Sequence, residues 1–499
     1  MGSPEGSRLG NLDDGLTDTK KNWIASDRFI PTKFVRPAFR LTRISAASGV
    51  VLVVATVVAM LWANLPAFGD SYSDFWHNTH LDLSFGPIHL NEDLKHLVND
   101  GLMAIFFFVV GLEIKRELVL GELRDPRKAA LPVVAALGGM ILPALIYVAF
   151  NAGDPAALRG WGVPMATDIA FSLGILALVG SRAPVGVRLF LLAVAIADDI
   201  GAIVVIALFY TSDLDFEFLA LGIGALVLIS IGARVHVRSY IFYVPMSLIA
   251  WYGFLESGVH ATIAGVILGF ITPSRPLYEA QEFSGAVRRI IASIPIGLSP
   301  SQSGEKAEPD ALLPAESAPW MEQAERLDKE LVEHEARLLS DVARESIAPL
   351  SRLQHLLHDW SAFVIIPIFA LANAGVAFAG IDIFDAITSR VALGVAFGLV
   401  VGKMVGVTGF AWLVVKLGWG RLPDGVGWRH MVGTGILTGV GFTVALFIAE
   451  LAYQDDLHID LAKIGIFLGS MVAAVTGYLV LRSLPETAGR VSRKADTKH

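Results

Sequence analysis

Apolar segments of helical membrane-crossing length recur along most of this 499-residue chain, and that recurrence limits the folds open to it. They run Ile44–Leu65, Leu94–Leu118, Ala129–Phe150, Trp161–Val179, Val185–Tyr210 and Phe216–Ala233, then Tyr240–Leu255, Gly258–Ile271, Trp360–Phe378, Val391–Leu417, His430–Leu451 and Ile459–Leu481. The spacing predicts an all-α polytopic membrane protein of about 12 transmembrane helices, some of them short or polar-interrupted. Composition agrees: 54% of residues are hydrophobic and 17% charged, with a mean hydropathy of +0.59. A net charge of −8 with no pooled basic patch gives no reason to expect a nucleic-acid partner, and the lack of cysteine excludes disulfides and thiolate chemistry. No Walker loop or dinucleotide fingerprint is present, which argues against a pump driven directly by nucleotide.

Connecting charges alternate. Lys115, Arg116, Arg124, Arg127 and Lys128 follow the second span, Arg182 and Arg188 the fourth, Arg234 and Arg238 the sixth, and Lys416, Arg421 and Arg429 the tenth. The opposite connections carry Asp213, Asp215, Glu217, Asp455 and Asp456. The positive-inside rule then places both termini in the cytoplasm. The first forty residues carry Lys20, Lys21, Arg28, Lys33, Arg36 and Arg40 but no early apolar core, so the first span is expected to be an uncleaved anchor. The expected organisation is a polar tail (1–42), spans I–VIII (43–271), a cytoplasmic linker (272–353), spans IX–XII (354–482) and a second tail (483–499). Within the linker, Gly297–Gly304 reads as flexible chain, and Pro319–Arg344 spaces Leu327, Leu331 and Leu338 as a surface amphipathic helix. It is either a solvated tether or a regulatory, partner-binding element. Between the first two spans, Leu81–Leu90 alternates apolar residues around Gly86-Pro87, with Leu83, Phe85 and Ile88 beside them. That pattern is a short extracytoplasmic β-hairpin or a plain loop, and a hairpin edge offers two protomers a place to pair.

Ionisable groups inside the spans carry the functional signal. Asp198 and Asp199 lie in the middle of Val185–Tyr210, where one charge costs about 3 kcal/mol to several times that. Two adjacent acids need a cation, protons or a basic partner. Lys403, within Gly398–Gly409, is such a base; a static salt bridge would leave the second aspartate unaccounted for. The fourth span breaks at Pro164 just before Thr167 and Asp168, and the eleventh carries four glycines and three threonines in Gly433–Thr443. Broken backbone at membrane depth lines a cavity or is buried in protein, and paired interruptions in separate halves of a transporter mark its central site. An acid near the half-helix N-termini and a base near the C-termini would offset the end charges. Glu113, Glu117, His260, His355 and His358 sit at span ends; the histidines titrate in the physiological range, so they are either pH-responsive or plain interfacial groups.

At these residues the chain resembles the NhaA family of sodium/proton antiporters. The matching segments are Phe107–Leu118, Ala166–Gly174, Ala197–Ala202, Gly258–Gly265, Leu371–Gly375, Val401–Lys403 and Gly439–Thr443, in order along nearly the whole membrane region. The family is itself among those from which the rule on broken helices and inverted repeats is drawn, so inverted-topology repeats and interrupted helices IV and XI are what the resemblance implies. It further implies a Na+ site at Asp199, Asp198 and Thr167, with Asp199 the direct ligand, Lys403 the partner of Asp198, and Asp168 a balance for helix-end charge. Glu113, Glu117, His355 and His358 fall in the region tied to pH activation, the Gly86-Pro87 hairpin in the homodimer contact, and the protein in a bacterial inner membrane. The chain departs from the pattern at Gln354, where a glutamate is expected, and in the 272–353 insertion and long N-terminus. The implied activity is secondary, electrogenic, pH-regulated export of Na+, and of Li+, against entering H+, with no cofactor. A sodium-coupled solute symporter or a cation channel shares the buried acids and stays open as an alternative.

Overall fold

The computed structural model describes residues 47–68, 70–85, 88–211, 214–293, 319–378 and 382–486. The N-terminal basic residues, Gly86, Pro87, Asp213, Gly297–Gly304 and residues 487–499 of the C-terminal tail lie outside them, as does the side chain of Leu327. The described chain opens with α1 (Ala47–Asn64) and a short α2 (Ser71–His77), then strands β1 (His80–Phe85) and β2 (Ile88–Asp93). Next come α3 (Leu94–Val119), α4 (Pro126–Asn151), α5 (Pro155–Met165), α6 (Ile169–Arg182), α7 (Val185–Phe209), α8 (Phe216–Arg234), α9 (Tyr240–Glu256) and α10 (Ala261–Ile271). After α11 (Ala280–Ser293) and α12 (Pro319–Glu345) follow α13 (Pro349–Asn373), α14 (Ile383–Thr388), α15 (Arg390–Lys416), α16 (Trp428–Leu437), α17 (Phe442–Ala452) and α18 (Asp456–Arg482).

Eight of these helices, α1, α3, α4, α7, α8, α13, α15 and α18, are long and apolar enough to cross a membrane. The pairs α5–α6 and α16–α17 meet that test only when taken together, and they bend by 45° and 46° at short breaks. Large apolar side chains such as Leu61, Leu145, Leu208, Ile241 and Leu479 face outward, an arrangement that suits hydrocarbon and not water. The protein is a multi-pass membrane protein. β1 and β2 pair antiparallel, with Leu83 opposite Leu90 and Phe85 opposite Ile88. One boundary differs from the sequence expectation: α13 starts at Pro349 and not at Trp360. Its first three turns are amphipathic, with Leu350 buried while His355, His358 and Asp359 are exposed, so an apolar-run reading starts too late.

The chain divides into two compact units. The first takes the described residues up to Asn99, Asp125–Tyr210 and those from Asp359 on; the second takes Asp100–Arg124 and Thr211–His358. The chain leaves the first unit inside a π-helical stretch of α3, Leu97–Leu102, and returns to it just before another, Ser361–Ile365 of α13. Part of the first unit's core joins Leu131, Leu176, Phe190, Leu191, Val407 and Leu437 from α4, α6, α7, α15 and α16.

In the second unit, α3 and α10 touch backbone to backbone. A Cβ on Gly269 would lie 2.7 Å from the carbonyl carbon of Gly111, and one on Gly111 would lie 2.6 Å from the carbonyl oxygen of Val266. Lys115 of α3 donates to the carbonyls of Phe270 (2.7 Å) and Thr272 (2.6 Å), closing the C-terminus of α10. The end of α12 is tied back through Glu345, whose carboxylate lies 3.4 Å from Arg238 and 3.6 Å from Arg352. Gly269→Leu should cost about 1–3 kcal/mol through overpacking against immobile backbone. Thermal unfolding in detergent checks this: the variant should melt below wild type, whereas Gly224→Leu, which meets nothing within 4 Å, should not. Equal melting temperatures for both would contradict the packing described.

Candidate functional site

The site is built in the first unit by two breaks. Pro164 lacks an amide proton, and α5 tightens into a 3-10 turn over Arg159–Met165 before Ala166 turns extended. The second break, between Leu437 and Phe442, passes close to the first: a Cβ on Gly441 would fall 2.9 Å from the carbonyl oxygen of Ala166. The freed backbone groups find partners at the crossing. The Asp168 amide donates to the Val440 carbonyl (2.7 Å), the Thr167 hydroxyl lies 2.8 Å from the Thr438 carbonyl, and the Ser172 hydroxyl donates to the Leu437 carbonyl (3.0 Å).

Asp168 caps both inner helix starts. Its Oδ1 accepts from the Phe171 amide of α6 (3.0 Å), and its Oδ2 accepts from the amide (3.2 Å) and hydroxyl (2.7 Å) of Thr443 on α17. One carboxylate thus meets the partial positive ends of two short helices. On the other side, Lys403 donates to Asp198 Oδ2 at 2.5 Å and to the Thr167 hydroxyl at 3.0 Å, and that hydroxyl lies 2.7 Å from the same Oδ2. Asp198 and Lys403 are 0% exposed, so the pair is fully withdrawn from solvent. Lys403 follows a π-helical stretch, Gly398–Gly402, whose Gly402 backs onto Pro143 of α4, where a Cβ would sit 2.7 Å from the proline Cα. Asp199, next on α7, is 4% exposed. The second carboxylate oxygen of Asp198, Oδ1, is buried without a hydrogen-bond partner among the described residues.

The structure therefore brings Asp198, Lys403 and Thr167 into one network and sets Asp168 at the adjoining crossing; Asp199 is buried beside them on α7. Ser172 and Gly139 escaped the sequence reading. A Cβ on Gly139 would lie 2.7 Å from Val407 Cγ2, so glycine there lets α4 pack closely against α15 beside Lys403. The adjacent glycines Gly138-Gly139 in an apolar span were the available signal.

The remaining predicted residues lie elsewhere. In the second unit, Glu113 Oε1 and His358 Nδ1 are 3.5 Å apart, and Arg116 donates to Gln354 Oε1 at 3.1 Å. Gln354 thus keeps a basic neighbour without carrying charge. Glu117 accepts from the Glu122 amide (2.7 Å) in the turn that ends α3, His260 is the N-cap residue of α10, and His355 is exposed. Leu83, Phe85 and Ile88 lie on β1 and β2. No cluster of three or more His, Cys, Asp or Glu suited to a resident metal occurs among the described residues.

Comparison with known proteins identifies the family. The family model of the Na+/H+ antiporter 1 family matches residues 40–481. The chain belongs to that family. A Na(+)/H(+) antiporter NhaA of Oleidesulfovibrio alaskensis is 45% identical over 463 residues, covering 93% of this chain and 97% of the relative. An NhaA of Rhodopirellula baltica is 43% identical, over 91% and 96% of the two chains, and an NhaA 2 of Sorangium cellulosum is 42% identical, over 95% and 96%. The energetics of the buried pair can be checked separately from any transport. Lys403→Ala strands a buried carboxylate and should cost about 3–5 kcal/mol. Asp198→Asn/Lys403→Ala should melt above the single variant, because the uncompensated charge is gone; a double variant that melts lower would show that the pair is not coupled.

Proposed function

We propose that this protein is a secondary antiporter that exports Na+, and Li+, in exchange for protons, with the buried Asp198–Lys403–Thr167 network beside Asp199 as its site. The observation that carries the reading is a fully buried acid and base meeting where two bent helix pairs cross. Such groups at membrane depth persist where they move charge. Family membership and the printed names of the relatives point the same way.

The fold is read as twelve crossings: the eight long helices, the two bent pairs as interrupted helices IV and XI, and α9 and α10. The two interrupted spans fall in halves of inverted topology, with both termini cytoplasmic. Residues 272–348 form a cytoplasmic linker between spans I–VIII and IX–XII, the β1–β2 pair lies outside and joins two protomers, and the membrane is a bacterial inner membrane. The Glu113–His358 contact and the Arg116–Gln354 hydrogen bond lie in the region proposed to tune the response to cytoplasmic pH.

Hard cations favour oxygen donors, and Asp199, Asp198 Oδ1 and the threonine and carbonyl oxygens of the break supply them. With the site open outward, external protons neutralise the carboxylates and Na+ leaves. The protonated site reorients, loses its protons at the higher cytoplasmic pH and binds Na+. In the Na+-free site Asp198 or Lys403 holds the second proton, and Na+ binding, by drawing Asp198 away from Lys403, releases it. Two protons for one Na+ move net charge inward, so the membrane potential drives export.

The test is Na+-induced dissipation of an imposed pH gradient in proteoliposomes. Wild type should couple the two fluxes, and Asp199→Asn, folded and inserted, should show none. Full activity in the variant would remove Asp199 from the site; Na+ flux without proton movement would point instead to a channel.

A further inference from the structure

A second buried charge cluster lies outside the ion site. Glu450, on the last turns of α17, places Oε2 2.8 Å from Lys95 Nζ and Oε1 3.0 Å from Lys463 Nζ. The Glu450, Lys95 and Lys463 side chains are 7%, 11% and 5% exposed. Asp460, 21% exposed, stands 3.8 Å from Lys463. Three separate elements meet here: Lys95 is on the first turn of α3, Lys463 on α18 and Glu450 on α17. Near a membrane interior such a trio is costly, and nothing in the exchange chemistry at Asp198, Asp199 and Lys403 uses it.

What the trio does hold is α17. This helix has only 11 residues, too short to be stable on its own, and the break before it denies it the support of a continuous span. Its first turn carries Thr443, which donates by amide and hydroxyl to Asp168. Glu450 lies seven residues further on, about 10 Å along the axis at helical rise. The short helix is therefore fixed at both ends by buried carboxylates: Asp168 receives its start, and its own Glu450 is gripped by lysines from two neighbours. A slide or rotation of α17 would pull Thr443 from Asp168 and disturb the crossing that shapes the ion site.

We propose that Glu450 is a positioning residue for Na+ binding: by bridging Lys95 and Lys463 it sets the axial position of α17, and through Thr443 and Asp168 the geometry of the crossing. The proposal rests on the Na+/H+ exchange reading above. Purely structural anchoring would lower the melting temperature and leave the apparent KM for Na+ unchanged, so KM is the discriminating quantity.

The experiment measures apparent KM and maximal rate for Na+ in proteoliposomes of the full chain, at fixed alkaline pH. Glu450→Gln should raise KM about tenfold while the maximal rate stays within about twofold, the signature of lost binding geometry and not of lost chemistry. Glu450→Asp keeps the charge but shortens its reach, and should raise KM by a smaller factor. If Glu450→Gln fails to fold, Glu450→Gln/Lys463→Met keeps the net charge of the trio and should show the same rise. An unchanged KM in any folded, exchanging variant, Glu450→Asp included, overturns the role of Glu450 alone. Absence of coupled exchange in wild type would instead overturn the transport reading beneath it.

Discussion

The structure turns on placing two opposite charges, Asp198 and Lys403, where neither meets solvent. An ammonium and a carboxylate at that depth are stable only together and only with further polar partners. Thr167 supplies one, lying within hydrogen-bond distance of both. The two helix breaks follow from the same need. An unbroken pair of helices would offer no free carbonyls or amides, whereas the breaks at 166–168 and 438–441 deliver both, with Asp168 meeting the helix starts and Thr167 and Ser172 the carbonyl ends. The crossing is thus an electrostatic balance held by few atoms.

Much of this was legible in the chain because membrane burial makes polar residues informative. Asp198, Asp199, Lys403, Thr167 and Asp168 stand out against apolar sequence, and Pro164 and the run Gly433–Thr443 mark the breaks. Strands His80–Phe85 and Ile88–Asp93 pair antiparallel where the alternation around Gly86-Pro87 left a hairpin and a plain loop both open. Other features were hidden for physical reasons. The α13 start at Pro349 was missed because an amphipathic surface turn has no continuous apolar run. Gly139 was missed because a glycine pressed against a valine methyl looks like any glycine in a packed span.

Glu450, Lys95 and Lys463 were hidden differently. Each sits within a turn or two of a span end, where a charged residue normally reaches the interface, and their residue types give no hint that they converge. Only the packing of α17 against α18 and the first turn of α3 buries them. Sequence pattern shows charges at mid-depth well and charges near the ends poorly, because the second class is costly only after tertiary structure closes over it.

In the proposed exchange, Na+ and protons compete for the same buried carboxylate oxygens. Calorimetric titration of Na+ into the purified protein, repeated in buffers of different ionisation enthalpy and across pH, measures this directly. Ligand oxygens that must be deprotonated make cation binding release protons, and each competing proton lowers the apparent affinity by about tenfold per pH unit on the acid side. Both proton release on Na+ binding and that slope are expected. Na+ binding with pH-independent affinity and no released protons would contradict it.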